Sequence, residues 1–104
     1  MNTTKAAQAM DALGAPVRLE IYRLLVRAGR NGMTIGRVQQ RTGIPRSTLS
    51  HHLHRLIDSG LVSSEKRGTS LICRADYTVM DNLLGYLSDE CCVEEGALQE
   101  GDVA

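Results

Sequence analysis

The spacing of apolar residues predicts two helices in the first thirty residues of the chain. A short amphipathic helix is expected over residues 3–13, and Gly14 would end it. Pro16 suits the first turn of a second helix, which the sequence 29–32 would interrupt. The apolar side of the first helix consists of Ala6, Ala9, Met10 and Leu13. The apolar side of the second consists of Val17, Ile21, Leu24, Leu25 and Ala28.

Two further helices are predicted on either side of a tight glycine turn. Thr34 can cap a short third helix, because its hydroxyl can accept a hydrogen bond from a free backbone N–H in the first turn. The turn 42–45 follows, and Pro45 stands near the first position of a fourth helix that Gly60 would end. The apolar stripe of this fourth helix consists of Leu49, Leu53, Leu56 and Ile57.

A hairpin and a last helix complete the predicted elements. Residues 61–66 and 70–75 form two short strands around a turn that contains Gly68. Thr78 and Asp81 have the spacing of a capping box and would open the last helix. One side of that helix carries Val79, Leu83, Tyr86 and Leu87. The sequence predicts one domain over residues 1–93, and a disordered acidic tail over residues 94–104.

The composition of the chain favours an aliphatic core and excludes several classes of protein. With 104 residues, three Tyr and neither Trp nor Phe, the chain can fold alone as a small domain with little margin, and a chain of this kind often gains core by dimerising. No signal peptide and no apolar run of about 20 residues is found, so we expect a cytoplasmic protein without a membrane span. No nucleophile with a base and a third orienting group is evident, and an enzyme is not expected.

A net charge of zero conceals a strong asymmetry along the chain. Eleven of the twelve basic residues lie between Arg18 and Arg74, where only three acids oppose them. Eight of the twelve acids lie from Asp76 onward. The middle of the chain therefore has the sign needed to contact a phosphate backbone, although scattered arginines can also simply solvate helix faces.

The order of elements, α-α-α-α-β-β-α, predicts a mainly α fold with a small β-hairpin, a winged helix-turn-helix. Apolar residues on one side of the fourth helix leave a polar face for double-stranded DNA, namely Arg46, Ser47, Thr48, Ser50, His51 and His54. Lys66 and Arg67, at the hairpin tip, would contact the backbone or minor groove. The alternatives are a solvated face, an acidic protein partner, or a metal held by His51 and His54. No acid lies between Arg46 and Arg55, which favours DNA.

The same residues resemble the ArsR/SmtB family of metal-responsive repressors. The resemblance covers about residues 8–92 and is carried by residues 12–19, 21–25, 42–53, 56–62 and 65–68. It implies a homodimer formed through the first and last helices. It also implies an inverted-repeat operator that is released when an inducer binds. Two well-known inducer sites of the family are missing, because residues 33–38 contain no Cys and the last helix contains no His.

Three cysteines remain as candidate sensors, and their odd number argues for free thiols. Cys91 continues the four-residue spacing of the last helix's apolar stripe, whereas Cys92 points elsewhere. Soft thiolates select soft acceptors, and the resemblance implies trivalent arsenic or antimony as inducer without a required cofactor. An organoarsenical needs only the two sulfurs of Cys91 and Cys92, and Cys73 could supply a third. Reactive sulfur, oxidants, mercury and cadmium are the alternative inducers.

Overall fold

A computed structural model describes residues 1–95, which form five helices and a three-stranded sheet in the order of a winged helix-turn-helix. The predicted tail, apart from Glu94 and Glu95, lies outside the described residues. No helix in residues 1–95 is long and apolar enough to cross a membrane. The elements are α1 (Thr3–Leu13), α2 (Pro16–Ala28), β1 (Met33–Thr34), α3 (Ile35–Thr42), α4 (Arg46–Asp58), β2 (Val62–Arg67), β3 (Ser70–Ala75) and α5 (Tyr77–Ser88).

The predicted hairpin is joined by a third strand that the sequence pattern did not indicate. The strand order is β1-β3-β2, and both pairings are antiparallel. Met33 pairs with Cys73, and Thr34 pairs with Ile72. Two residues are too few to show an alternation of apolar and polar positions, so tertiary pairing alone defines β1. In the hairpin, Gly68 has a φ of 58°, a left-handed conformation that suits a tight connection between strands.

The core is aliphatic, as the composition predicted. The side chains that are fully buried and largest come from four elements and from the connection before β2, and they are Ile21, Leu25, Val38, Leu49, Leu56, Leu61 and Cys73. On α1 the buried residues are Ala6, Ala9 and Ala12, and their small size allows the helix to approach its neighbours closely. Met10 and Val17, which the spacing places on the apolar sides of α1 and α2, are 50% and 38% exposed in the single chain.

The last helix begins one residue before the predicted capping box. Asp76 is its N-cap, and the Asp76 carboxylate accepts a hydrogen bond from the backbone N–H of Val79 at 3.0 Å. The backbone N–H of Asp76 donates to the carbonyl oxygen of Leu61 at 2.8 Å. This contact at the end of the sheet sets where α5 starts, so the box predicted for Thr78 and Asp81 is wrong.

Candidate nucleic-acid interface and thiol pair

A short turn sets the angle between α3 and α4. Gly43 has a φ of 71° and donates its backbone N–H to the carbonyl oxygen of Gln39 at 2.8 Å. The Thr42 hydroxyl donates to the carbonyl oxygen of Val38 at 2.8 Å and accepts from the backbone N–H of Ile44 at 3.3 Å. Glycine adopts a left-handed conformation without steric cost, which is why the helix can end and turn here.

The two sides of α4 differ sharply in exposure. Leu49, Leu53 and Leu56 are buried in the core. The polar residues predicted to contact DNA all lie at exposed positions, and we call them the DNA-facing surface: Arg46, Ser47, Thr48, Ser50, His51 and His54. Their side chains have the donors and acceptors that base edges and phosphates require.

The structure adds Gln39 to the residues beside this surface. The Nε of Arg46 donates to the Oε1 of Gln39 at 3.3 Å, which connects the first turn of α4 to α3. The angle of the turn brings the two side chains together, and no local pattern encodes that angle. Gln39 therefore orients the guanidinium that is expected to contact a base.

The three histidines of α4 have different surroundings. The Nε2 of His54 lies 3.4 Å from the Oδ2 of Asp58, and both side chains are exposed. His52 is half-buried, and its Nδ1 has no hydrogen-bond partner in residues 1–95. Burial lowers the pKa of His52, and the nearby Arg18, His51 and Arg55 add to this effect. A neutral His52 therefore packs against the domain while His51 and His54 remain at the surface.

We call the hairpin of β2 and β3 the wing. Of its two residues predicted to contact DNA, Arg67 belongs to an ion-pair network. Lys66 and Arg67 are both exposed. The Nε of Arg67 lies 3.2 Å from the Oε2 of Glu65, and the Nη1 of Arg74 lies 2.7 Å from the Oε1 of Glu65. Hydrogen bonds from Arg74 and then Arg67 lower the pKa of Glu65. Arg74 also donates to the carbonyl oxygen of Arg30 at 3.0 Å, so the network attaches the wing to the turn that follows α2.

The cysteines fall into two separate environments. Cys73 is fully buried in β3, and burial raises the pKa of its thiol. Cys91 and Cys92, the thiol pair, are exposed, and their Sγ atoms lie 3.2 Å apart. The hydrogen bond with Cys91 raises the pKa of Cys92. Within residues 1–95, no group of three His, Cys, Asp or Glu side chains is arranged to hold a metal ion.

The thiol pair lies beyond the last helix rather than on its apolar stripe. Helix α5 ends at Ser88, whose hydroxyl donates to the carbonyl oxygen of Leu84 at 2.9 Å. Glu90 and Cys92 have φ angles of 61° and 63°, which turn the chain out of the helical path. The predicted continuation of the stripe to Cys91 is therefore wrong, and both thiols face solvent.

Known proteins are similar to this chain in sequence. Residues 13–65 match the model of the helix-turn-helix domain family. An uncharacterized helix-turn-helix-type transcriptional regulator of Methanocaldococcus jannaschii is 38% identical over 62% of this chain and 71% of its own length. The nodulation protein NolR of Rhizobium meliloti is 30% identical over 91% of this chain and 75% of its own length.

A solved structure extends this likeness to the whole domain. It is the homodimeric winged helix-turn-helix DNA-binding domain of a possible ArsR-family regulator from Mycobacterium bovis. It matches with a TM-score of 0.67 and 25% identity over 85% of this chain and 82% of its own. The chain belongs to the ArsR/SmtB family of winged helix-turn-helix proteins and is a DNA-binding transcriptional regulator. The relatives are regulators, a class of protein without catalytic activity.

Proposed function

We propose that this protein is a homodimeric repressor that binds an inverted-repeat operator and releases it when a trivalent arsenical binds Cys91 and Cys92. The observation that carries the proposal is the thiol pair, two exposed sulfurs 3.2 Å apart just beyond α5. Cytoplasmic DNA would be its binding partner, and no resident cofactor is needed.

The homodimer is supported by an apolar surface that a single chain leaves open. Leu84 and Leu87 on α5 are 57% and 56% exposed. Beside them lies an apolar groove of about 360 Å³, to which Leu19 and Leu84 contribute. Tyr86 is hydrogen-bonded to Thr3 of α1, so α1 and α5 form one surface. A second copy would cover these side chains, and the relative from Mycobacterium bovis is described as homodimeric.

A two-fold symmetric dimer presents two copies of the DNA-facing surface. Recognition helices related in this way match half-sites that are inverted with respect to each other. The arrangement proposed here puts α4 in the major groove, with Arg46 near a guanine and the wing over the adjacent backbone. The basic middle of the chain supplies the general attraction to phosphate.

The chemistry of the thiol pair favours an arsenical with two open valences. Thiolates are soft ligands and bind soft acceptors, and two sulfurs this close can bind one atom together. Cys73 is buried in the sheet, so the third sulfur considered for inorganic arsenite would require a rearrangement of the core. A monosubstituted organoarsenical, which needs two sulfurs, is therefore the inducer that this arrangement fits best.

Release of DNA follows from linkage between two sites. An inducer that binds the DNA-free conformation more tightly than the DNA-bound one lowers operator affinity by the ratio of its two affinities. The corresponding coupling free energy is typically about 1–3 kcal/mol. The thiol pair follows α5 directly, and α5 contributes the surface proposed for the dimer. Ligation there would change the spacing of the two α4 helices without contacting DNA.

The test is an electrophoretic shift on the DNA upstream of the gene, at physiological salt. We expect specific binding, release by phenylarsine oxide, and loss of release in Cys91→Ser and Cys92→Ser. Cys73→Ala, which replaces a buried thiol with another small apolar side chain, is the matched control and should still respond. A full response in the double variant of Cys91 and Cys92 would eliminate the site. Absence of specific binding would instead favour a protein partner for the DNA-facing surface.

A second candidate function uses the same two sulfurs as a sensor of oxidants or reactive sulfur species. Their closeness favours it, because two free thiols 3.2 Å apart can be oxidised together. The raised pKa of Cys92 lowers the fraction of thiolate, which both candidates require, so the release experiment decides between them. Release of DNA by hydrogen peroxide or polysulfide, but not by phenylarsine oxide, would select this candidate.

A further inference from the structure

A cleft between α2 and the turn after α3 contains three arginines that lie outside the DNA-facing surface. Its volume is about 570 Å³, within the range typical of small-molecule sites. Arg23 and Arg27 come from successive turns of α2, and Arg41 comes from the last turn of α3. The apolar part of this arginine cleft includes Ile21, Leu24 and Ile44.

The arginine cleft carries uncompensated positive charge. The arginines that form ion pairs within residues 1–95 are Arg55, Arg67 and Arg74, and no such pair involves Arg23, Arg27 or Arg41. Glu20 is the acid in the lining, so three arginines and one glutamate leave a net charge of +2. Helix C-termini attract Arg27 and Arg41, but this effect does not explain Arg23, which repels Arg27 one turn away.

We propose that the arginine cleft binds a small amphipathic anion with a doubly charged head group. The guanidinium groups would bind the head group, since their planar forks match the oxygens of phosphate and carboxylate. The apolar body of the ligand would pack on Val17, Leu24 and Ile44. A phosphate monoester and a dicarboxylate share this chemistry, and both offset the charge of the cleft.

Binding there would affect the helix-turn-helix motif directly. Ile44 belongs to the turn that joins α3 to α4, and Arg41 lies in the helix before it. A ligand that connects α2 to this turn therefore constrains the orientation of α4. The consequence for operator affinity rests on the proposed function, whereas binding itself requires neither DNA nor the thiol pair.

Calorimetric titration of the full chain with phenyl phosphate and with phthalate tests the proposal. We expect one site per chain, with the better probe identifying the head group. Arg23→Gln and Arg41→Gln should each weaken binding about tenfold, through the loss of charge-assisted hydrogen bonds. Arg37→Gln, an exposed arginine of α3 that does not line the cleft, should leave the affinity unchanged. Benzyl alcohol, which lacks the charge, should not bind.

Three outcomes overturn the proposal. One is no binding of either probe at millimolar concentration. Another is an equal loss in Arg37→Gln, which would show nonspecific charge attraction. The third is a change in operator binding: if Arg23→Gln with Arg27→Gln lowers the slope of log affinity against log salt by about 2, the cleft contacts DNA phosphate. Circular dichroism confirms that each variant is folded. Each of these failures leaves release by phenylarsine oxide, and hence the thiol proposal, unaffected.

Discussion

Helices α4 and α5 have nearly equal lengths, 13 and 12 residues, but they complete their packing in different ways. Helix α4 buries Leu49, Leu53 and Leu56 and leaves a polar face outside. Helix α5 buries Leu83 and leaves Leu84 and Leu87 more than half exposed.

The difference indicates what each helix lacks in a single chain. An amphipathic helix needs no further partner when its apolar stripe is buried in a core and its polar side is in water, as in α4. Its exposed donors and acceptors are available for a polar surface such as DNA. Helix α5 retains apolar side chains that water solvates poorly, so its missing partner is apolar.

The largest effect is expected from a charge placed on α5. Leu84→Glu should weaken association of the proposed dimer by about 3–6 kcal/mol. Each of the two chains loses one buried Leu84, and burying a leucine side chain contributes about 1.5–3 kcal/mol. Sedimentation equilibrium measures the change. Asn82→Glu adds the same charge to an exposed polar position of α5 and is the control. A dimer that survives Leu84→Glu would remove α5 from the interface.

A substitution that creates a cavity beneath α4 should lower the stability of the fold rather than weaken the dimer. Leu53 is 2% exposed, so Leu53→Ala is expected to lower the free energy of unfolding by about 2–5 kcal/mol. Urea denaturation at a protein concentration that keeps the assembly constant measures this loss. Leu87→Ala, at an exposed site in the single chain, serves as the comparison. An equal loss in both variants would contradict the contrast between the two helices.

A substitution on the polar face of α4 should lower DNA affinity and leave the stability of the fold unchanged. Arg46→Ala is expected to cost about 1–3 kcal/mol of operator affinity if the guanidinium contacts a guanine in two places. Fluorescence anisotropy on the operator and on a scrambled duplex measures the loss, and denaturation should be nearly unchanged. Gln39→Ala, which removes the partner of Arg46, should produce a smaller loss of the same kind. An equal loss on both duplexes would make Arg46 a phosphate contact.

The smallest effect is expected where α4 contacts α1. Arg55 and Asp11 form an ion pair at 3.2 Å with side chains that are 44% and 78% exposed. Exposed pairs contribute about 0.2–1 kcal/mol, so Asp11→Ala should lower stability by no more than this. Denaturation at low and high salt measures it, and the difference from wild type should shrink as salt screens the pair. A salt-independent loss would assign the effect to packing.

The sequence predicted most of α4 because its determinants are local. A glycine turn, a proline near the first position and leucines at helical spacing are enough to orient a helix with one apolar side. The positions of Arg46, Ser50 and His51 on the exposed side follow from that spacing. The hairpin and the aliphatic core were predictable for the same reason, and so was the family.

Tertiary structure decided the features that depend on contacts between distant residues. Strand β1 exists because Met33 pairs with Cys73, and α5 begins where the chain returns to Leu61. The helical spacing predicted that the apolar stripe of α5 continues to Cys91. The helix ends at Ser88, however, and the thiol pair is exposed to solvent. The arginine cleft likewise joins two helices whose sequences separately look like solvated surfaces. Side-chain spacing determines the faces of each helix, whereas the neighbour that each face contacts is determined by how the whole chain packs.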